Sequence, residues 1–224
     1  MSESFIPRIV HHIWLGKGQM PEHQQRWRQA FIDANPGWEF RLCTDENLPP
    51  ILSRCVWDLA GEVGGTPGCV MRSDVLRLEV LARFGGVYLD TDIKPIRPLD
   101  EYARPDSLGG PSAWVACEQQ SIISNAAMGF PRNHPALWHA LAALEESFFD
   151  YRSVGDQAGP GLIARTFPLY DDIALLPPEY FHPTVAEVAR NPDGRAFTKA
   201  AHVFAGTWLD ENKGRYAGMW EANA

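Results

Sequence analysis

At 224 residues, the chain has room for one domain with a well-buried core and not for two full ones. Its formal net charge of −8 argues against a general affinity for nucleic acid or an anionic membrane, since both reward a basic surface. The cysteines Cys43, Cys55, Cys69 and Cys117 form no C-x-x-C pair and no zinc spacing, so buried reduced thiols of a cytoplasmic protein are expected. The first residues hold no apolar core of signal-peptide length. No window approaches the roughly 20 apolar residues of a membrane helix. A cytoplasmic protein with no membrane span is the expectation, with peripheral membrane association left open. Tryptophan is abundant, at 8 residues; such side chains supply flat stacking surface, but most of them fill cores.

Ile9 to Leu15 is a short apolar run rich in β-branched residues, and Gly16-Lys17-Gly18 breaks it, which predicts a first buried strand entering a loop. Pro21 to Ala34 places Trp27, Ala30, Phe31 and Ala34 at helical spacing, and Asn35-Pro36-Gly37 stops it. Trp38 to Cys43 alternates like a strand. This β-α-β opening predicts an α/β domain with a mostly parallel central sheet flanked by helices. Val70 to Phe84 is the clearest helix, closed by Gly85-Gly86. Val87-Tyr88-Leu89 follows at once as a strand and ends in Asp90-Thr91-Asp92. Trp114 to Cys117 and Asn125 to Phe130 read as further strands, and His134 to Phe149 as an amphipathic helix. Beyond Asp150 the chain is richer in Gly and Pro, so loops are expected there and few elements. With no repeat, linker or low-complexity tract, residues 1–224 are expected to form a single domain.

Ligand sites in such sheets lie beyond the carboxyl ends of the strands, where the acidic triplet falls. Two carboxylates one residue apart suit a hard divalent cation, and Mg²⁺ or Mn²⁺ also takes diphosphate oxygens. Such a metal acts as Lewis acid and template for a diphosphate leaving group. An Asp-x-Asp alone is weak, because most chance occurrences are solvated turns; the helix and strand before it give this one its context.

Val70 to Pro95, reading V-M-R-S-D-V-L-R-L-E-V-L-A-R-F-G-G-V-Y-L-D-T-D-I-K-P, closely resembles the sugar-binding region containing the DxD motif of glycosyltransferase family 32. The opening I-P-R-I-V-H-H-I-W-L-G and the late A-H-V-F-A-G-T-W resemble the same family's outer segments, so the likeness runs from Ile6 to Trp208. The resemblance implies a GT-A fold and a nucleoside-diphosphate sugar donor, a UDP- or GDP-sugar. It also implies Mn²⁺- or Mg²⁺-dependent transfer of a hexose with retention of configuration, to a glycan or small hydroxyl acceptor such as a polysaccharide precursor. On the matching positions, Asp92 would hold the metal directly, and Asp90 would join it from the ribose or sugar side. Asp74 and Arg77 would bind donor-sugar hydroxyls and the diphosphate. Tyr88 would shape the donor pocket and Trp14 would stack on the base. His202 would close the metal shell, although the family often has two adjacent histidines where this chain has Ala201-His202. Asn125 and the Gly159-Pro160-Gly161 turn would line the cleft.

Blander readings stand beside these. Asp74 and Arg77 sit at i and i+3 of one helix, which is also the spacing of a surface ion pair. Trp14 could be a core residue, and His202 a partly buried polar side chain. His11 and His12 are read as structural, with at most one of them facing the core. No carboxylate nucleophile is evident for the opposite sugar face, which favours same-face attack over a covalent intermediate. Two other functions compete: a nucleotide-sugar-binding module without turnover, and an aspartate-based phosphohydrolase. The second fits poorly, since its motif usually lies near the start of the chain and is followed by a hydroxyl residue where Lys94 stands.

Overall fold

The computed structural model describes residues 6–16, 18–104, 110–118 and 122–182, and the backbone of 200–202. Its centre is a six-stranded sheet made by β1 (Ile9–Trp14), β2 (Glu39–Thr44), β3 (Gly86–Leu89), β5 (Ala113–Glu118), β6 (Ile122–Phe130) and β7 (Ile173–Leu176). Their order across the sheet is β2-β1-β3-β6-β5-β7. β1 runs parallel to β2 and to β3, and β5 parallel to β7, while β6 runs antiparallel to both of its neighbours. The expected mostly parallel sheet is therefore present, with one reversed strand inside it.

Helices cover both faces. On one face α2 (Arg54–Val63), α3 (Gly65–Phe84), α4 (Pro135–Asp150) and α6 (Pro160–Thr166) enclose a core that includes Met71, Leu78, Leu81, Tyr88, Val115, Met128, Leu137 and Ile163. On the other face α1 (Glu22–Ala34) and short turns enclose Val10, Phe31, Val87, Leu89, Tyr102, Trp114 and Phe181. Side chains alternate across a strand, so Val87 and Leu89 face α1 while Tyr88 faces α3. Because both faces are covered, adjacent residues of β1 can both be buried. His11 and His12 are, which corrects the expectation that only one could face a core.

α3 begins at Gly65, five residues before the expected start, because Pro67 is tolerated in a first helical turn, where its missing N–H has no intrahelical partner. A Cβ at Gly68 would come within 2.3 Å of the Ala60 carbonyl, so glycine permits the close approach of α2 and α3. α2 itself was not predicted. The carboxylate of Glu79 on α3 accepts from the Leu52 and Ser53 amides just ahead of α2, at 3.0 and 2.7 Å. Between α3 and β3, Gly85 and Gly86 have φ of +64° and +103°, and a Cβ on Gly86 would approach the Ile9 carbonyl to 2.5 Å. Only glycine lets the chain leave the helix and enter the central strand at once.

Past residue 150 the expectation of few elements is corrected. Short α5 (Val154–Gln157), α6 and the edge strand β7 are all present. A second, two-stranded sheet pairs β4 (Ile93–Pro95) antiparallel with β8 (Ala200–His202), Ile93 opposite His202.

Candidate active site

β1 and β3 run parallel, in register Val10 with Val87 and His11 with Tyr88. Their carboxyl ends therefore open on one edge of the sheet, the edge that carries Trp14 and Asp90. Alternation along β3 turns Tyr88 and Asp90 to the same face, the face covered by α3. Asp74 and Arg77 lie one turn apart on that helix and meet them.

The cluster is closely bonded. Arg77 Nη2 lies 3.0 Å from Asp74 Oδ1 and Nη1 lies 3.3 Å from Asp90 Oδ1. Nη1 also donates to the Asn125 carbonyl at 2.7 Å, and Nε to the Ser73 carbonyl at 3.4 Å. Asn125 Nδ2 donates to Asp74 Oδ1 at 2.8 Å, and the Tyr88 hydroxyl donates to Asp90 Oδ1 at 2.6 Å. The guanidinium lies over the Tyr88 ring, 4.5 Å from its centroid. Asp74 and Arg77 are 3% and 5% exposed, so the surface ion-pair reading does not describe them. Burial alone would lower the pKa of Arg77. The groups around it, Tyr88, Asp90, Asp74 and Asp92, reverse that and raise it above its ordinary value. Burial raises the Tyr88 phenol well above its ordinary range, so it is a hydrogen-bond donor at every working pH.

Tyr88 is fully buried, and its hydroxyl is spent on Asp90. The Asp90 side chain, by contrast, is 26% exposed, and Asp92 is half-buried two residues beyond it. Gly159, at the start of α6, lies against Asp74: a Cβ there would come within 2.9 Å of Oδ2. The Gly159-Pro160-Gly161 turn thus joins the cluster, as does Asn125.

A divalent metal is tested by the donor set. Among the described residues no group of three His, Cys, Asp or Glu side chains converges to hold an ion. Mg²⁺ characteristically uses one or two carboxylates and takes its remaining ligands from water and substrate phosphate, and Asp90 with Asp92 supplies that number. The backbone of His202 is placed opposite Ile93, next to Asp92. Its side chain lies outside the described residues, as do Thr207 and Trp208.

Trp14, half-buried at the end of β1, faces the α1 side and donates from Nε1 to the Gly18 carbonyl at 2.6 Å. It lines a cavity of about 590 Å³ together with Arg28, Leu42, Asp45 and Glu46 among others. Asp74, Arg77, Asp90 and Asp92 are not in that wall; the cavity and the carboxylate cluster are neighbours on one sheet edge rather than one hollow. Sequence reading missed Arg28, Asp45 and Glu46. The signal was available, because Asp45-Glu46 directly follows β2, whose parallel pairing with β1 sets Thr44 beside Trp14.

The fold is that of a GT-A glycosyltransferase domain. Residues 21–110 match the family described as the glycosyltransferase sugar-binding region containing the DXD motif, so the resemblance to glycosyltransferase family 32 holds over that stretch. Inositol phosphoceramide mannosyltransferase 3 of Schizosaccharomyces pombe is 33% identical over 65% of this chain and 39% of its own length. Inositol phosphoceramide mannosyltransferase 2 of the same organism is 30% identical over 80% of this chain and 51% of its own. The chain therefore spans about half or less of these relatives. Among solved structures, the PaToxG glycosyltransferase superposes with a TM-score of 0.61 at 16% identity, covering 74% of this chain and 70% of that one.

Proposed function

We propose that this chain, as one domain over residues 1–224, transfers a hexose from a nucleoside-diphosphate sugar to a hydroxyl of a glycan or other small acceptor. The observation that carries the reading is the buried Arg77 clamped between Asp74 and Asp90 at the carboxyl edge of the sheet. Burying charges is costly even when they are paired, and this cluster lies where such folds bind ligands.

Each side chain then has a task. Asp92, with Asp90, would hold Mn²⁺ or Mg²⁺, which when bound neutralises the diphosphate leaving group. Asp74 would accept from a donor-sugar hydroxyl. Arg77 uses Nε and both terminal nitrogens on Ser73, Asn125, Asp90 and Asp74. It therefore serves mainly to fix those groups, and its charge favours the diphosphate at longer range. Trp14 and its cavity would take the base. His202 is proposed as a further ligand on the strength of β8 pairing beside Asp92. Retention follows if the acceptor oxygen bonds to the anomeric carbon on the face the phosphate leaves. The acceptor proton then passes to the departing phosphate oxygen.

The two relatives are named for mannose and for inositol phosphoceramide. That puts mannose first among donor sugars and an inositol phosphoceramide hydroxyl among acceptors worth testing. The experiment is a screen of uridine- and guanosine-diphosphate sugars with Mn²⁺, reading free nucleoside diphosphate. Release of nucleoside diphosphate from one donor is expected, slow when water takes the sugar and faster when an acceptor hydroxyl does. Nucleotide binding by calorimetry without hydrolysis of any donor would favour a binding module instead.

A further inference from the structure

The register of β1 leaves one feature that donor chemistry does not use, the adjacent histidines His11 and His12. Each reaches one end of β3. A ring nitrogen of His11, Nε2, lies 2.9 Å from the Gly85 carbonyl, just before the strand, and Nδ1 of His12 lies 2.9 Å from the Leu89 carbonyl, at its last residue. A carbonyl only accepts, so both of these nitrogens carry the proton.

The His12 bond falls where the sheet ladder stops. β1 and β3 pair only at Val10 with Val87 and His11 with Tyr88, although β1 continues to Trp14 against β2. In an antiparallel ladder alternate residues bond to a given neighbour. Asp90 donates its amide to the Ala126 carbonyl of β6 at 2.8 Å, so Leu89 turns its carbonyl towards β1, where the imidazole meets it. The 89–90 peptide is thereby held from both sides.

Histidine is a costly choice for this place. His12 is 1% exposed, and its Nε2 is buried without a hydrogen-bond partner. Burial keeps the ring neutral, with a pKa of about 3. Leucine would pack beside Phe31 without an orphaned nitrogen, but it would leave the Leu89 carbonyl without this donor. We propose that His12 is a positioning residue for the acidic triplet, its Nδ1–H fixing the peptide from which the Asp90 carboxylate springs. His11, at the far end of the strand, supports the fold alone. The inference rests on the reading of Asp90 and Asp92 as metal-holding groups.

The test compares His12→Leu, His12→Asn and His11→Leu in the full chain. Asparagine places an amide donor at the same distance from Cβ as Nδ1. Mn²⁺ binding is followed by electron paramagnetic resonance in the presence of GDP or UDP, alongside thermal unfolding. Outer partners of metal ligands typically govern affinity by 10–100-fold, so His12→Leu should weaken Mn²⁺ binding about tenfold or more. His12→Asn should recover most of that loss. His11→Leu should lower thermal stability with Mn²⁺ affinity unchanged. If His12→Leu does not fold, His12→Gln, whose amide sits one bond further out, takes its place. Unchanged Mn²⁺ affinity in the folded variant, or equal weakening by His11→Leu, overturns the role given to His12. If the wild-type chain binds no Mn²⁺ with either nucleotide, the donor-site reading itself fails, and this proposal with it.

Discussion

Arg77 is the residue on which the cluster depends. Removing one partner from a buried charge group leaves the others uncompensated, which typically costs about 3–5 kcal/mol. Arg77→Met should therefore lower unfolding free energy in urea by that order, because Asp74 loses the cation beside it. Tyr88→Phe is a gentler change. It deletes the donor 2.6 Å from Asp90, and hydrogen bonds to charged groups contribute about 1.5–3 kcal/mol; water around the partly exposed carboxylate should hold the loss to the low end. Urea titration of both variants checks the ranking. The histidines set a pH dependence. Burial, the largest cause, lowers His11 to about 4 and His12 to about 3, so both are neutral in the fold while the unfolded chain binds protons near 6.5. The unfolded state then holds more protons below that value, and stability rises with pH. Their contribution is complete above about 6.5 and is lost as pH falls towards 4 for His11 and 3 for His12. By pH 5 each should have cost about 2 kcal/mol. Thermal unfolding of the wild type against His11→Leu and His12→Leu, between pH 7 and pH 5, should show a shallower pH slope in each variant.

At the scale of elements, sequence patterns found those with strong periodicity or clear stops. β1, α1, β2, β3, β5, β6 and α4 fall within a few residues of expectation, because each has an apolar face and a Gly, Pro or Asn boundary. α2 escaped because it is secured from outside its own segment, by Glu79 more than twenty residues away. That dependence is testable: Glu79→Ala should cost about 1–3 kcal/mol by leaving the Leu52 and Ser53 amides without their acceptor. Hydrogen exchange should show the loss concentrated at the start of α2. The reversal of β6 was equally hidden, since strand direction depends on which neighbours a strand finds, not on its own residues. The acidic triplet was legible because helix, Gly-Gly turn and strand run consecutively into it. The reach of His12 and the wall supplied by Asp45 and Glu46 were not, as both arise from strand pairing.

The described residues form a sheet covered on both faces, with the acidic cluster on one edge. That arrangement explains how Asp74 and Arg77, which read as an ordinary ion pair in one dimension, become buried organisers of a strand end in three. It also sets the Trp14 cavity apart from the carboxylate cluster, since Asp74, Arg77, Asp90 and Asp92 do not line that cavity. No helix among the described residues is long and apolar enough to cross a membrane. The account rests on Asp92 as the group that holds the metal for transfer, and turnover of Asp92→Asn beside the wild type tests it most directly. With the donor that the wild type hydrolyses in Mn²⁺, the variant should unfold at the wild-type temperature and show no measurable release of nucleoside diphosphate. Full activity in that folded variant would contradict the assignment.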